Sequence, residues 1–175
     1  MKDTVRFEPL VPKLYDKYIK VGTKAYNQHY THLWPNGDTS TYLQNSFTNE
    51  VLLEEAQDEN TFLYLIKLNS YYAGILKYTR YKSIANYSEA EALYLDKIYI
   101  QNEYTGAGIG KKTLEFVILQ AKRLNKKVIY LEAMQKGLAL PFYLANGFTI
   151  ISSTQIPYPN ALEEEKPMYV LLRKV

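Results

Sequence analysis

Residues 93–111 read LYLDKIYIQNEYTGAGIGK, and they hold three of the chain's eight glycines at alternate positions. Leu93 to Ile100 has the apolar, aromatic and β-branched content of a strand. Downstream of the glycines, Leu114, Val117, Ile118, Ala121 and Leu124 recur at the spacing of one helix face. Val128 to Ala133 then reads as a second short strand. A strand, a loop, a helix and a strand in this order imply one parallel pair with a right-handed crossover. Glycines between a strand and a helix let backbone amides come close to a ligand. Successive N–H groups and a helix N-terminus suit a phosphate. A tight, closely packed turn is the other use of the same residues. Two nucleotide signatures fail on named positions. A dinucleotide fingerprint fits Gly106 and Gly108 but meets Lys111 where it needs the third glycine. A Walker loop fits Gly110-Lys111 but meets Thr105 and Lys112 at its other fixed positions.

Working outward, the segments alternate between the two periods. Thr4–Phe7 reads as a first strand, and Lys13 to about His32 as a helix with Pro12 in its first turn. Trp34-Pro35-Asn36-Gly37-Asp38 breaks the pattern. Thr39 or Ser40 can cap a helix to about Phe47, and Asn49 another from Glu50 to about Gln57. Thr61–Leu68 and Tyr71–Thr79 read as a hairpin, and Tyr81–Ala90 as a loop. Leu138–Ala145 suggests a helix stopped by Asn146-Gly147, with Pro141 tolerable only near its first turn. Phe148–Ser153 and Met168–Arg173 complete the strands, with a loop over Tyr158–Lys166 between them. The order is β-α-α-α-β-β-β-α-β-α-β-β, a mixed α/β fold in a single domain over 1–175.

Composition narrows the function. The chain has 175 residues, 47% apolar and 22% charged, with a net charge of +3. No dense basic run points to nucleic acid. The absence of cysteine removes disulfides, thiolate nucleophiles and cysteine-held metals. His29 and His32 lack convergent partners for a metal. No stretch has the roughly 20 apolar residues of a membrane span, and MKDTVRFEPL lacks a signal core. A cytoplasmic protein is the expectation. The 18 tyrosines must include many partly buried hydroxyls, some at a pocket.

The run LDKIYIQNEYTGAGIGKKTLEF (95–116), followed by LALPFYLANGF (138–148), resembles the GCN5-related N-acetyltransferase family. The pyrophosphate loop of that family, Gln/Arg-x-x-Gly-x-Gly/Ala, falls on Thr105-Gly106-Ala107-Gly108-Ile109-Gly110. Its second motif falls on Ala139, Tyr143, Gly147 and Phe148. The resemblance implies a mostly antiparallel sheet of six to seven strands, splayed at the one parallel pair, with acetyl-CoA as co-substrate and no metal. The backbone of the Ile98-Tyr99-Ile100 stretch would pair with the pantetheine arm, and amides from Gly106 to Lys111 would hold the pyrophosphate. Two positions depart from the family. Thr105 replaces its Gln/Arg, and Lys136 replaces an asparagine that touches the pantetheine; a lysine there could meet a phosphate instead.

Acetyl transfer to an amine poses two proton problems. An alkylammonium, with a pKa of about 10.4, must lose a proton before it attacks, and a thiolate leaving group gains from an acid. Tyr143 matches the family's tyrosine and is the candidate acid. Asp96, an aspartate inside an apolar strand, is the candidate base, with Glu132 in the neighbouring strand as a second. On strict alternation Asp96 shares a face with Tyr94 and Ile98. A carboxylate paired with Lys97 or with a neighbouring strand is the other use of Asp96. Tyr26, His29, Tyr30 and Trp34 cluster where this family covers its acceptor. Glu89, Glu91 and Glu163–Glu165 could attract a cationic amine, or form a solvated charge run. Residues 41–78 are similar, more loosely, to bacterial polyamine acetyltransferases. The expected function is N-acetylation of a small cationic primary amine in a ternary complex, by a monomer or homodimer. A non-catalytic acyl-CoA sensor and a protein acetyltransferase are the alternatives.

Overall fold

The computed structural model describes residues 2–175. Its element order is the expected one: β1 (Val5–Pro9), α1 (Tyr15–His29), α2 (Ser40–Ser46), α3 (Asn49–Gln57), β2 (Thr61–Leu68), β3 (Tyr71–Thr79), β4 (Ala92–Ile100), α4 (Ile109–Arg123), β5 (Val128–Met134), α5 (Ala139–Ala145), β6 (Thr149–Gln155) and β7 (Pro167–Lys174). The seven strands form one sheet in the order β1-β2-β3-β4-β5-β7-β6. Only β4 and β5 run parallel.

Boundaries moved for local reasons. α1 stops at His29, and Thr31–Leu33 forms a separate 3-10 turn. Pro35 disfavours helical backbone at the residue before it, and Trp34 is extended, with φ −119 and ψ 143. Thr48, not Asn49, caps α3, its Oγ1 accepting from the Val51 N–H at 3.2 Å. Pro141 sits in the first turn of α5, where it removes no helix hydrogen bond.

Each face of the sheet buries one layer. Leu114, Val117 and Ala121 of α4 pack with Leu93, Leu95, Ile129 and Leu131 on one face. Tyr18, Val21 and Tyr26 of α1 pack with Leu63, Leu65 and Ile75 on the other.

Two features of the sheet position the site. The β4–β5 ladder contains only Ala92–Tyr94 against Val128–Tyr130, so the two strands part beyond Tyr94. The register of β3 against β4 shifts between Lys77↔Lys97 and Tyr78↔Leu95, which leaves Asp96 as an extra, bulged residue. Across the α1 face, the β6–β7 connection closes over the parted strands. The Leu162 N–H donates to the Leu33 carbonyl at 2.9 Å, and Asn160 Nδ2 donates to Thr41 Oγ1 at 2.9 Å.

Candidate active site

Where β4 leaves β5, its backbone has an open edge. The Gln101 N–H donates to the Ala73 carbonyl at 2.9 Å, so Tyr99 and Ile75, two positions back in the ladder, also face each other as a hydrogen-bonded pair. By the same alternation, the N–H and C=O of Ile98 and Ile100 turn away from β3 and into the gap. Gly74, opposite Ile100, has no room for a side chain: a Cβ there would lie 2.3 Å from the Tyr99 carbonyl oxygen. Among the residues expected to meet a pantetheine arm, Ile98 and Ile100 have backbone available. Tyr99 does not, because its backbone is committed to β3. The Ile100 carbonyl also accepts from His29 Nε2–H at 2.7 Å.

The gap leads to the glycine loop. Gly106 (φ +80) and Gly108 (φ +74) occupy left-handed backbone that a side chain would strain. Nothing lies within 4 Å of where their Cβ atoms would stand. The protein itself does not crowd these positions, so it is their left-handed backbone and not close packing that calls for glycine. Gly110 differs: it lies inside α4, and its Cβ would be 3.5 Å from the Phe142 ring. No side chain caps the first amides of α4, which begins at Ile109. Thr105 Oγ1 donates to the Asn102 carbonyl at 2.7 Å and so serves the turn.

On the α1 face, the bulge changes the expected alternation. Asp96 shares its side with Tyr94 but not with Ile98, which packs into the α4 layer. Its Oδ2 lies 3.0 Å from Lys77 Nζ, and Lys77 also meets Glu55 Oε1 at 2.5 Å. Burial disfavours the Lys77 ammonium, but Asp96 and Glu55 together outweigh that and raise its pKa. Asp96 is thus a paired carboxylate, held by the neighbouring strand and not by Lys97. Lys97 is only 8% exposed and has no carboxylate within ion-pair distance among the described residues. Its Nζ rests 5.5 Å from the Phe47 ring centre and 5.6 Å from that of Tyr42. Desolvation lowers its pKa. Glu132 stands on the same side of β5 and is exposed. Desolvation raises its pKa; Lys82 opposes the shift and Asp96 adds to it.

An aromatic cluster roofs this chamber. Tyr26 and Tyr42 stack at 3.8 Å, Tyr42 and Tyr99 share a hydroxyl hydrogen bond of 2.7 Å, and Trp34 Nε1 donates to the Tyr26 hydroxyl at 3.0 Å. The four residues expected to line the acceptor site sit at different depths. Trp34, 2% exposed, and Tyr26, 3% exposed, are core residues that support the wall. His29 holds β4. Of the four, Tyr30 remains partly exposed with its hydroxyl free of the cluster's hydrogen bonds. Tyr42, Lys77, Lys97 and Tyr158, whose ring meets that of Tyr42 edge-on at 6.1 Å, were not expected at the site. A lysine in one apolar strand opposite an aspartate in the next was the available signal for Lys77.

Tyr143 approaches from the other face. Its ring packs edge-on against Phe148 at 5.6 Å and Phe142 at 5.2 Å. Desolvation, with a smaller effect from Tyr30, raises its pKa well above the usual tyrosine value, so the hydroxyl keeps its proton. Lys136 Nζ lies 3.8 Å from Glu165 Oε1 and is largely exposed. Glu163 pairs with Lys166, and Glu91 with Lys127 at 2.5 Å. Each of these acids already has a cation as partner.

Comparison with known proteins agrees with this fold. The sequence profile described as an acetyltransferase (GNAT) domain matches residues 58–150. An uncharacterised N-acetyltransferase of the pepI 3′ region in Lactobacillus delbrueckii subsp. lactis is 24% identical over 116 residues, 66% of this chain and 67% of that protein. Among solved structures, the PaiA N-acetyltransferase of Thermoplasma acidophilum, in complex with coenzyme A, superposes with a TM-score of 0.76 at 16% identity. That match covers 98% of this chain and 99% of the other. A GNAT-family acetyltransferase of Streptococcus pneumoniae gives 0.72 at 18% identity, covering 98% and 100%. At these identities the structural matches speak for the fold.

Proposed function

The chain belongs to the acetyltransferase (GNAT) family, and on that premise we propose how its residues transfer an acetyl group from acetyl-CoA to a primary amine. One observation carries the reading: a strand edge with two outward-facing peptide groups runs straight into a glycine loop that nothing in the protein fills. A pantetheine arm, which carries amides, suits the edge at Ile98 and Ile100, as an added strand would. A pyrophosphate suits the amides from Gly106 to Lys111.

The thioester then lies where β4 and β5 diverge, between Tyr143 on one face and the Asp96–Glu132 chamber on the other. The acceptor amine loses its proton to Glu132, directly or through water, and attacks the thioester carbon. Glu132 is preferred to Asp96 because Lys77 already holds Asp96 in an ion pair. The Ile98 N–H, or that of a neighbour in the gap, stabilises the charged carbonyl oxygen. As the C–S bond breaks, Tyr143 protonates the leaving thiolate, a role that suits a hydroxyl held in its neutral form, and the extra proton lost by the acylated nitrogen restores the Tyr143 hydroxyl. Within this reading, the acceptor is a small cationic amine such as a polyamine. Glu132, which has no ion-pair partner among the described residues, and several tyrosine rings on the acceptor side support it.

The test is release of CoA thiol from acetyl-CoA against spermidine, spermine, monoamines, aminoglycosides and lysine peptides. Acceptor-dependent release with the polyamines is the expected result. Tyr143→Phe should lower kcat about 100-fold or more while leaving acetyl-CoA affinity within about twofold. Unchanged turnover would remove Tyr143 as the acid. Acetyl-CoA binding with no release on any amine would favour a sensor.

A further inference from the structure

The corner where β4 turns toward the glycine loop is gripped by the last two turns of α1. His29 Nε2–H donates to the Ile100 carbonyl at 2.7 Å. Gln28 uses both ends of its amide. Its Oε1 accepts from the Asn102 N–H at 2.8 Å, and its Nε2 donates to Glu103 Oε2 at 3.2 Å. Lys24, one turn earlier on the same helix face, pairs with Glu103 Oε1. Lys24 above all, then the Glu103 N–H and Gln28, hold the Glu103 carboxyl down at about 2, so it stays ionised throughout the neutral range.

Stability does not account for this grip. Lys24 and Glu103 keep 50% and 41% of their side chains exposed, and such pairs add little to folding. An acid three residues before Gly106 is also a poor neighbour for a phosphate. What the grip does is fix the corner. A 3-10 turn over Asn102–Tyr104 follows at once. The Tyr104 N–H closes it on the Gln101 carbonyl at 2.9 Å, and the Thr105 N–H on the Asn102 carbonyl at 3.1 Å. Gly106 comes next. No atom of the protein stands within 4 Å of the Cβ positions of Gly106 or Gly108, so the loop takes its direction from its two ends. One end is Ile109, buried at the start of α4. The other is the gripped corner.

We propose that Lys24, Gln28 and Glu103 are positioning residues for the acyl donor: through Asn102 and the turn that follows, they aim the loop amides at the pyrophosphate. The proposal rests on acetyl-CoA being the donor. Amides already aimed need no ordering when the ligand arrives, so a loosened corner weakens donor binding. The same helix carries Tyr26 into the aromatic wall, so donor loop and acceptor wall take their places from one element.

Calorimetric titration with CoA, wild type against two variants, tests the proposal. Gln28→Leu removes both amide bonds and changes no charge. Its Kd for CoA should rise about fivefold, the worth of about one net hydrogen bond, with Tm within about 2 °C of wild type. Glu103→Gln separates the readings by sign. A Glu103 that acted only as a charge would repel the phosphates, and its loss would tighten binding. A positioning Glu103 gives weaker binding on its loss, by about two- to threefold. The double variant should bind about as weakly as Gln28→Leu alone, because both act through one corner. Tighter binding by Glu103→Gln, or an unchanged Kd in Gln28→Leu, overturns the proposal and leaves CoA as the donor. Weaker binding accompanied by lost amide protection in β2 and β3 makes Gln28 merely structural, which overturns it as well. A wild-type chain that does not bind CoA removes the donor reading, and the proposal with it.

Discussion

Lys97 and Lys77 face each other across β3 and β4, yet burial treats them differently. Lys77 has two carboxylates, whereas Lys97 has two aromatic rings. The folded pKa of Lys97 lies below the free value of 10.5, so between the two the unfolded chain binds more protons and stability rises with pH. Lys97→Met should therefore raise stability at pH 7 by about 1 kcal/mol, about 2–4 °C in Tm for a chain of this size. The advantage over wild type should shrink as pH approaches 10.5, and calorimetry at pH 7 and 10 reads it. A lower Tm at pH 7 would show that the rings hold Lys97 comfortably charged. Lys77→Met should do the opposite. It leaves Glu55 and Asp96 without a counter-charge, at a cost of about 2–3 kcal/mol measurable by urea unfolding. That figure is below the fully buried case because these side chains keep 18% and 24% exposure. At this scale the glycines and Tyr143 were legible, because backbone freedom and a motif position mark them in one dimension. The Lys77–Asp96 pair was not, because it depends on a bulge that no spacing announces.

The element that matters most is β4, whose two edges have unequal partners. Its β3 edge is paired from Tyr94 to Ile100 apart from the bulged Asp96, while its β5 edge is free beyond Tyr94. Amide hydrogen exchange should report this residue by residue. The Tyr99 amide, turned toward Ile75, should be slow. The Ile98 and Ile100 amides should exchange faster, and saturating acetyl-CoA should slow them selectively. Equal protection of all three without ligand would contradict the free edge. Helices and strands were readable in order because each carries a clean period of 3.6 or 2. The ends slipped where one residue governs its neighbour, as Pro35 does Trp34, or where two cap residues adjoin, as Thr48 and Asn49 do. The aromatic acceptor wall was half legible. The clustering of Tyr26, His29, Tyr30 and Trp34 is visible in the sequence, but their depth is set by α2 and the β6–β7 connection, which arrive from afar.

Across the whole molecule, two leaves of sheet meet at three residue pairs and are fastened again by the β6–β7 connection over Leu33 and Thr41. The opening between them is therefore a framed window and not a cleft. On the proposed function, a ligand arriving from the α4 side and one arriving from the α1 side would meet in that window without sharing a doorway. The chain has no cysteine to take up an acetyl group, and Lys97 lies beneath its rings. We expect the acetyl group to pass directly from donor to acceptor. Initial velocities measured at several fixed acceptor concentrations should give double-reciprocal lines that cross. Parallel lines would mean that the acetyl group pauses on a side chain, and the window would have to be a relay instead of a place of direct exchange.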